Sequence, residues 1–311
     1  EERQFEIQSS IGITLYPEYA TDAEQLLAQG DAAMYEAKQA GGNCWHLFGS
    51  KGKRDQDKTD AHQWKTRLRR ALETDDFLLL FQPIWHLERQ ATEQYEALVR
   101  LEERTGELVR PELFLEVAER HNLSLPLDRM VITKALRKAC AVQDMDDAPR
   151  ISLNLAESTL LNEDVLTRLK DEAETLGVGL DRLGLELPEG FVYGNRRRAR
   201  ELAQALAEEH IQVVLDDFGR DLPSMRLLEE VPVDMVKLRS PLVRAVGHSE
   251  VQRDVAGGLV QAARSAGVAV TAKFVEDLDQ LPLLEELGVH YAQGFAVGRP
   301  MESLQHWVQV G

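Results

Sequence analysis

Cysteine is nearly absent: Cys44 and Cys140 are the only two in 311 residues. So few thiols exclude a disulfide scaffold and a cysteine-rich zinc module, and both read as small buried side chains. Basic residues are also scarce. Lys and Arg total 36 against 53 Asp and Glu, a formal charge of −17. So acidic a surface repels the phosphates of long nucleic acids. It does not exclude a small phosphate ligand held by a few cations or a metal. No apolar run is long enough to span a bilayer, and no signal-peptide pattern opens the chain. Because the first residue is Glu1, the expectation is a piece excised from a longer protein, with any membrane anchor lying outside it. What is present, 43% hydrophobic and 29% charged residues, is a globular composition. The length suits one large domain or two ordinary ones.

Residues 1–48 form a first block. Phe5 to Leu15 reads as a strand, broken by Tyr16-Pro17. Asp22 to Ala40 reads as a helix, with Leu26, Leu27, Ala33, Met34 and Ala37 at helical spacing. Gly41-Gly42-Asn43 ends that helix, and Trp45 to Phe48 reads as a short closing strand. So few elements bury little core, so the block is a remnant or an appendage. Residues 49–63 are polar without an apolar period and read as a linker running into a helix. Trp64, Leu68, Ala71 and Leu72 give that helix one buried face.

From Phe77 onward, short apolar runs alternate with amphipathic segments. The runs are 78-LLLFQPI, 95-YEALVRL, 151-ISLNLA, 183-LGLELPE, 211-IQVVLDDF, 235-MVKLR, 268-VAVTAKFV and 290-HYAQGFAV. Eight such runs with intervening helices predict an α/β fold, a (β/α)8 TIM-type barrel over residues 64–311, with a doubly wound open sheet as the competitor. The runs are apolar along most of their length, as befits strands covered on both faces. Most carry a polar interruption: Glu96, Asn154, Glu186, Asp216 with Asp217, Lys237 with Arg239, Lys273 with Glu276, and Gln293. A charge inside a strand is costly unless it is paired or ligates something. Seven runs each giving polar groups to one mouth point to a site, and hard oxygen donors suit Mg²⁺, Mn²⁺ or Ca²⁺. A metal site acting on a phosphoester fits that pattern.

These segments resemble the EAL domain, a (β/α)8 barrel that hydrolyses cyclic di-GMP to the linear dinucleotide. The resemblance rests on Glu96-Ala97-Leu98 with Val99-Arg100, Gln82-Pro83-Ile84, Asn154-Leu155 and Leu185-Glu186-Leu187-Pro188-Glu189. It continues through Asp216-Asp217-Phe218-Gly219, Val236-Lys237, Phe274-Val275-Glu276 and Gln293-Gly294-Phe295, spanning about Leu72 to Pro300. The first block resembles the last third of a GGDEF domain, through Ser10-Ile11-Gly12-Ile13, Asp31 to Lys38, and Gly42-Asn43. That family's signature loop and metal-binding half are missing, so the resemblance implies a folded remnant without cyclase activity.

The EAL resemblance implies two divalent metals that activate a water. It gives the first metal Glu96, Asn154, Glu186 and Asp216, and the second Asp217. Lys237 matches the active-site lysine, Glu276 the glutamate that braces the loop after the paired aspartates, and Gln293 the glutamine of the final strand. Gln82 and Arg100 match ligand contacts. Three positions depart from the family. Arg239 stands where a second-metal aspartate is expected, Lys273 where the water-activating glutamate is expected, and Arg220-Asp221 where a small residue and glycine follow the aspartates. Phe274 replaces a glycine. Exchanging two carboxylates for two cations reverses the local charge, and at an effective dielectric of ~20 a like-charge contact at ~4 Å costs about 4 kcal/mol.

The expectation is therefore a degenerate, inactive EAL domain in which Lys237 and Glu96 are vestigial. Mg²⁺ or Mn²⁺ fits its first site only, and none is required for binding. Arg239 and Lys273 stand in for the missing cation opposite a phosphodiester, and Phe274 offers a guanine a stacking face. The expected ligand is cyclic di-GMP, in a cytoplasmic signalling module with an unidentified protein partner. Two alternatives stand beside this reading. One is a working metal-dependent phosphodiesterase. The other is a nucleotide-free protein-interaction domain whose cations pair with Asp217 and Glu276. The resemblance also implies pairing of copies through helices near the loop at Arg220-Asp221, so a homodimer is an expected state. His62, His86, His121, His210 and His290 lack metal-ligand spacing, Arg196 to Arg198 reads as a solvated turn, and Trp64 and Trp85 as core or interface anchors.

Overall fold

The computed structural model describes residues 9–16, 22–39, 45–48, 53–103, 105–144, 148–162, 164–220 and 224–304. The chain divides into two compact units, Glu1–Thr66 and Arg67–Gly311. In the first, strand β1 (Ile11–Ile13) pairs in parallel with β2 (Trp45–Leu47), and helix α1 (Ala23–Gln39) lies between them in sequence. Asp22 starts α1: its Oδ1 accepts the Gln25 N–H at 2.8 Å, satisfying one of the free amides of the first turn. Ala33 and Ala37 are buried, whereas Leu27, expected on the same face, is exposed. Gly12 allows the strand to lie against the helix, since a Cβ there would sit 1.9 Å from the Gly30 carbonyl oxygen. The expected strand residues Phe5–Gln8, the helix stop at 41–43 and Cys44 lie outside the described residues.

Helix α2 (Lys53–Thr74) begins within the segment read as a linker and runs 22 residues. It leads into strand β3 (Phe77–His86), which makes a hairpin with β4 (Ala91–Glu102). Short β5 (Leu108–Val109) adds to the edge of β4. Helices α3 (Leu115–Arg120) and α4 (Ser124–Val142) precede β6 (Arg150–Asn154), and α5 (Glu157–Leu160) and α6 (Val165–Leu176) precede β7 (Leu183–Pro188). Helices α7 (Glu189–Gly194) and α8 (Arg196–Glu208) lead to β8 (Gln212–Phe218), and α9 (Ser224–Glu230) leads to β9 (Met235–Leu238). Helices α10 (Ser240–Ala245) and α11 (Glu250–Ser265) lead to β10 (Ala269–Ala272), and α12 (Gln280–Glu286) leads to β11 (Tyr291–Ala292).

The strands run β3-β11-β10-β9-β8-β7-β6-β4, and β3–β4 pairing closes the ring. This is the expected eight-stranded barrel, with one departure. Strand β3 is antiparallel to both neighbours, β4 and β11. The cause is the four-residue connection Leu87-Glu88-Arg89-Gln90, too short for a helical crossover and sufficient for a hairpin turn. The parallel strands β7 and β9 are buried along nearly their whole length, because helices cover the outside and side chains fill the inside, whereas β4 of the hairpin is only partly buried.

Outside the barrel, Arg196 to Arg198 is more than a solvated turn. Arg196 pairs with Glu230 at 2.8 Å, and Arg198 donates to the carbonyls of Leu160 and Asn162 at 3.0 and 2.7 Å. His86 is buried edge-on against Tyr291, and Cys140 is a free thiol.

Asp128 of α4 fixes the turn after β6, and so the backbone beside Asn154. It is 5% exposed, and its Oδ2 accepts the Ala156 N–H at 2.9 Å. Burial pushes its carboxyl up to about 6, against the pull of that hydrogen bond. The folded protein therefore binds this proton more tightly than the unfolded chain does. The stabilising contribution is complete below the ordinary value of 3.8 and is lost as pH rises through about 6. Asp128→Asn keeps an acceptor without the charge. It should melt above the parent at about pH 7.5, by on the order of 2 kcal/mol, and lose that advantage near pH 4. Equal differences at both pH values in thermal unfolding would contradict this assignment.

Candidate functional site

The parallel strands deliver their polar residues to one mouth. Register sets Asn154 of β6 beside Glu186 of β7, and Thr271 of β10 beside Lys237 of β9. Gln82 of the reversed strand β3 pairs opposite Glu96 of β4. The β8–β9 ladder is irregular between Leu215 and Phe218, which takes Asp216 and Asp217 out of the regular pleat. Asp217 has φ 57° and Gly219 has φ 99°. Aspartate tolerates the left-handed region better than most residues, and glycine occupies it without strain.

Lys237 occupies the centre. Its side chain is 0% exposed; Nζ donates to Glu96 Oε2 at 2.7 Å and, by a very short contact, to Glu186 Oε1. Glu96 also accepts from Asn154 Nδ2 on Oε1 and from Gln293 Nε2 on Oε2, both at 2.6 Å. Ser152 Oγ donates to Glu186 Oε1 at 2.6 Å. Burial disfavours the Lys237 charge, yet Glu186, Glu96 and Asp216 together hold its pKa above the ordinary value. Burial would also raise Glu96, but the Lys237 charge and the hydrogen bonds from Lys237 and Gln293 outweigh it and leave the carboxyl lowered. Burial and the repulsion of Glu96 push Glu186 up to about 7. Glu186 is thus the carboxyl that first gives way to a proton in this cluster.

A second cluster forms at the rim. Lys273 Nζ donates to Asp216 Oδ1 at 2.5 Å and to Asp217 Oδ1 at 2.8 Å. Burial opposes the charge on Lys273, and the two aspartates more than restore it, raising its pKa. Arg239 caps α10, and its N–H donates to the Phe218 carbonyl at 3.2 Å. Among the described residues its guanidinium makes no hydrogen bond or ion pair. Gln82 Nε2 donates to the Gly298 carbonyl at 3.3 Å, and its Oε1 accepts from Gln293 Nε2 at 3.4 Å. Half-buried Arg100 donates to the Val99 carbonyl at 2.8 Å, and burial lowers its pKa. A cavity of about 570 Å³ adjoins Asn154, walled by Leu98, Val99, Leu115, Leu127 and Leu155, with Asp128 at its edge.

Phe274 has φ 57° and is 49% exposed. For a bulky L residue that backbone costs on the order of 1–2 kcal/mol, so its surroundings must hold it. Glu276 pairs with Arg244 of α10 at 3.2 Å, and both are exposed. The carboxylate on the loop after the paired aspartates is Glu189, whose Oε2 accepts the Arg220 N–H at 3.2 Å. Glu189 stands in the quoted Leu185–Glu189 motif but carries no role in the sequence reading. Its burial at the start of α7, 2% exposed, is what brings it there. Asp221, the other changed loop position, lies outside the described residues.

The donors Glu96, Asn154, Glu186 and Asp216 are of the type that binds Mg²⁺ or Mn²⁺. Glu186 Oε2 and Gln293 Oε1 are buried without a hydrogen-bond partner among the described residues, a feature consistent with a cation or water at the first position. As arranged, however, ammonium groups lie between the carboxylates. Among the described residues no three His, Cys, Asp or Glu side chains form a group that could hold an ion. At the second position Lys273 bridges Asp216 and Asp217, the place a dication would take.

Fold and site together define an α/β barrel whose mouth is lined by carboxylates, amides and cations. The chain belongs to the EAL domain family, whose pattern matches residues 65–300; residues 1–44 match the diguanylate cyclase GGDEF domain. The chain is 29% identical over 297 residues to the cyclic di-GMP phosphodiesterase PdeB of Shewanella oneidensis, covering 95% of this chain and 35% of that protein. It is 29% identical over 298 residues to the cyclic di-GMP phosphodiesterase PdeR of Escherichia coli, covering 95% and 44%. It thus spans less than half the length of these relatives. Among solved structures it resembles the FimX EAL domain of Xanthomonas citri in complex with cyclic di-GMP, with TM-score 0.76 and 26% identity over 83% of this chain and 100% of that one. The FimX EAL domain of Pseudomonas aeruginosa bound to cyclic di-GMP gives TM-score 0.73 and 25% identity over 78% and 98%. Phosphodiesterases of the family generally depend on Mg²⁺ or Mn²⁺. Among the described residues no helix is long and apolar enough to cross a membrane.

Replacing Lys237 by Met strands two buried carboxylates, and breaking such a pair costs about 3–5 kcal/mol. Lys273→Met removes a partner from a rim cluster whose Asp217 is 61% exposed, so its loss should be clearly smaller. Denaturant unfolding of both variants checks the ranking, and equal losses would contradict it.

Proposed function

We propose that this chain is a degenerate EAL domain that no longer hydrolyses cyclic di-GMP and acts as a cytoplasmic receptor or regulatory module for it. The observation that carries the reading is the position of Lys273, bonded to both Asp216 and Asp217. A dication at the second position would face this ammonium and the nearby Arg239, at a cost of about 4 kcal/mol for each like-charge contact at ~4 Å. With one position blocked, no paired metals hold the attacking and leaving oxygens, and hydrolysis loses its main support. The first position keeps its donors and accepts one Mg²⁺ or Mn²⁺ without requiring it. In the same reading, residues 1–48 are a non-catalytic GGDEF remnant, 49–63 the linker and 64–311 the EAL domain.

The receptor reading draws on what the mouth leaves open. Lys273 is engaged with carboxylates, while the guanidinium of Arg239 is not, and a guanidinium fits a phosphodiester by two parallel hydrogen bonds. Phe274 presents an exposed ring suited to a base, and the partly open cavity beside Asn154 adds an apolar wall of Leu98, Val99, Leu115, Leu127 and Leu155, rimmed by Glu112, Glu116, Glu119 and Glu157. FimX relatives bound to cyclic di-GMP give the same ligand on the same fold. The double ion pair of Lys273 favours the nucleotide-free alternative to the extent that it neutralises the rim.

Calorimetric titration with cyclic di-GMP in EDTA tests the proposal. Binding in the micromolar range is expected, weakened roughly tenfold by Arg239→Ala through loss of a charged hydrogen bond. Incubation with Mn²⁺ should give no linear product. Binding that is undetectable up to high micromolar ligand would favour a protein-interaction domain instead. Metal-dependent linear product would make the chain an enzyme. Restoring both acidic positions, Arg239→Asp with Lys273→Glu, should bring back metal binding and some hydrolysis.

A further inference from the structure

Phe274 sits at φ 57° between two inward neighbours, Lys273 and the fully buried Val275. Lys273 reaches inward to Asp216 and Asp217, while the Phe274 ring stands out at the rim and Glu276 faces solvent. The backbone of this segment is fixed on its inner side. The Val275 N–H donates to the Gln293 carbonyl, and the Ala296 N–H to the Val275 carbonyl, both at 3.0 Å. The approach there is so close that a Cβ on Gly294 would lie 2.1 Å from the Val275 carbonyl oxygen. These bonds hold Val275. They touch neither the Phe274 ring nor the Glu276 carboxylate.

On the outer side one side chain meets both. The Arg244 guanidinium lies over the Phe274 ring, 5.6 Å from its centroid, and its Nη2 is 3.2 Å from Glu276 Oε1. A planar guanidinium can stack on a ring with its face and donate from its edge at once, which an ammonium cannot do. Arg244 belongs to α10, the same short helix that Arg239 caps.

We propose that Arg244 is a positioning residue: it clamps the loop of residues 273–276 to α10, fixing the Phe274 ring as a stacking face beside Arg239. The ligand half of this inference rests on the receptor reading; the clamp itself does not.

Hydrogen exchange read by mass spectrometry, without ligand, tests the clamp. Arg244→Gln should raise exchange over residues 274–277 and leave β9 unchanged, and unchanged exchange in that loop overturns the proposal. Titration with cyclic di-GMP tests the consequence. Arg244→Gln should weaken binding roughly three- to tenfold, and Arg244→Lys should recover part of it by keeping the Glu276 pair. In a Phe274→Gly background, where there is no ring to hold, Arg244→Gln should change affinity no further. An equal loss in both backgrounds overturns the positioning role. If the parent chain itself fails to bind cyclic di-GMP, the receptor reading and the ligand half fall, and the exchange result alone decides the clamp.

Discussion

A single ammonium group at the centre of the barrel organises the rest. Lys237 rises from β9 and meets Glu96 of β4, on the far side of the ring, and Glu186 of β7. The contact therefore crosses the lumen. Taking three charges out of water is expensive, and their attraction roughly offsets that cost without adding much net stability. What the trio supplies is geometric definition. The trio ties β4, β7 and β9 together across the lumen, and Ser152, Asn154 and Gln293 add hydrogen bonds around it.

The rim repeats the motif in a less buried form. Lys273 does for Asp216 and Asp217 what Lys237 does for Glu96 and Glu186. An ammonium and a divalent metal both neutralise carboxylates, but they differ in chemistry. The metal lowers the pKa of a bound water and leaves coordination positions for substrate oxygens; the lysine does neither. Under the degenerate reading proposed above, exchanging one for the other would keep the carboxylates neutralised while removing the means of activating a nucleophile.

Much of this was legible in the sequence, for identifiable reasons. Strands covered on both faces read as apolar runs, so all eight barrel strands were found, and the polar interruptions marked the mouth. The sequence reading does not anticipate the reversal of β3, although its signal is present: only Leu87-Glu88-Arg89-Gln90 separate Trp85-His86 from Ala91, too few for a crossover helix. The assignment of Glu276 as the loop brace followed family position. The geometry shows Glu189 on that loop and Glu276 on Arg244, a difference set by tertiary packing that spacing does not encode. The left-handed backbone at Phe274 was hinted at by the glycine expected there, but the side chain lying over its ring, Arg244, comes from another helix and has no local signature. Leu27 shows the converse, an apolar residue at the right period that stays exposed.

The reversed first strand also decides where the chain joins the barrel. In an all-parallel barrel the opening strand starts at the floor, remote from the chemistry. Here Phe77, the first residue of β3, lies opposite Leu101 near the C-terminal end of β4. Helix α2 feeds directly into that point, and its Arg67 is tied to Glu103 at 2.7 Å, just past β4. The entry to the barrel therefore lies at the mouth end of the β3–β4 hairpin.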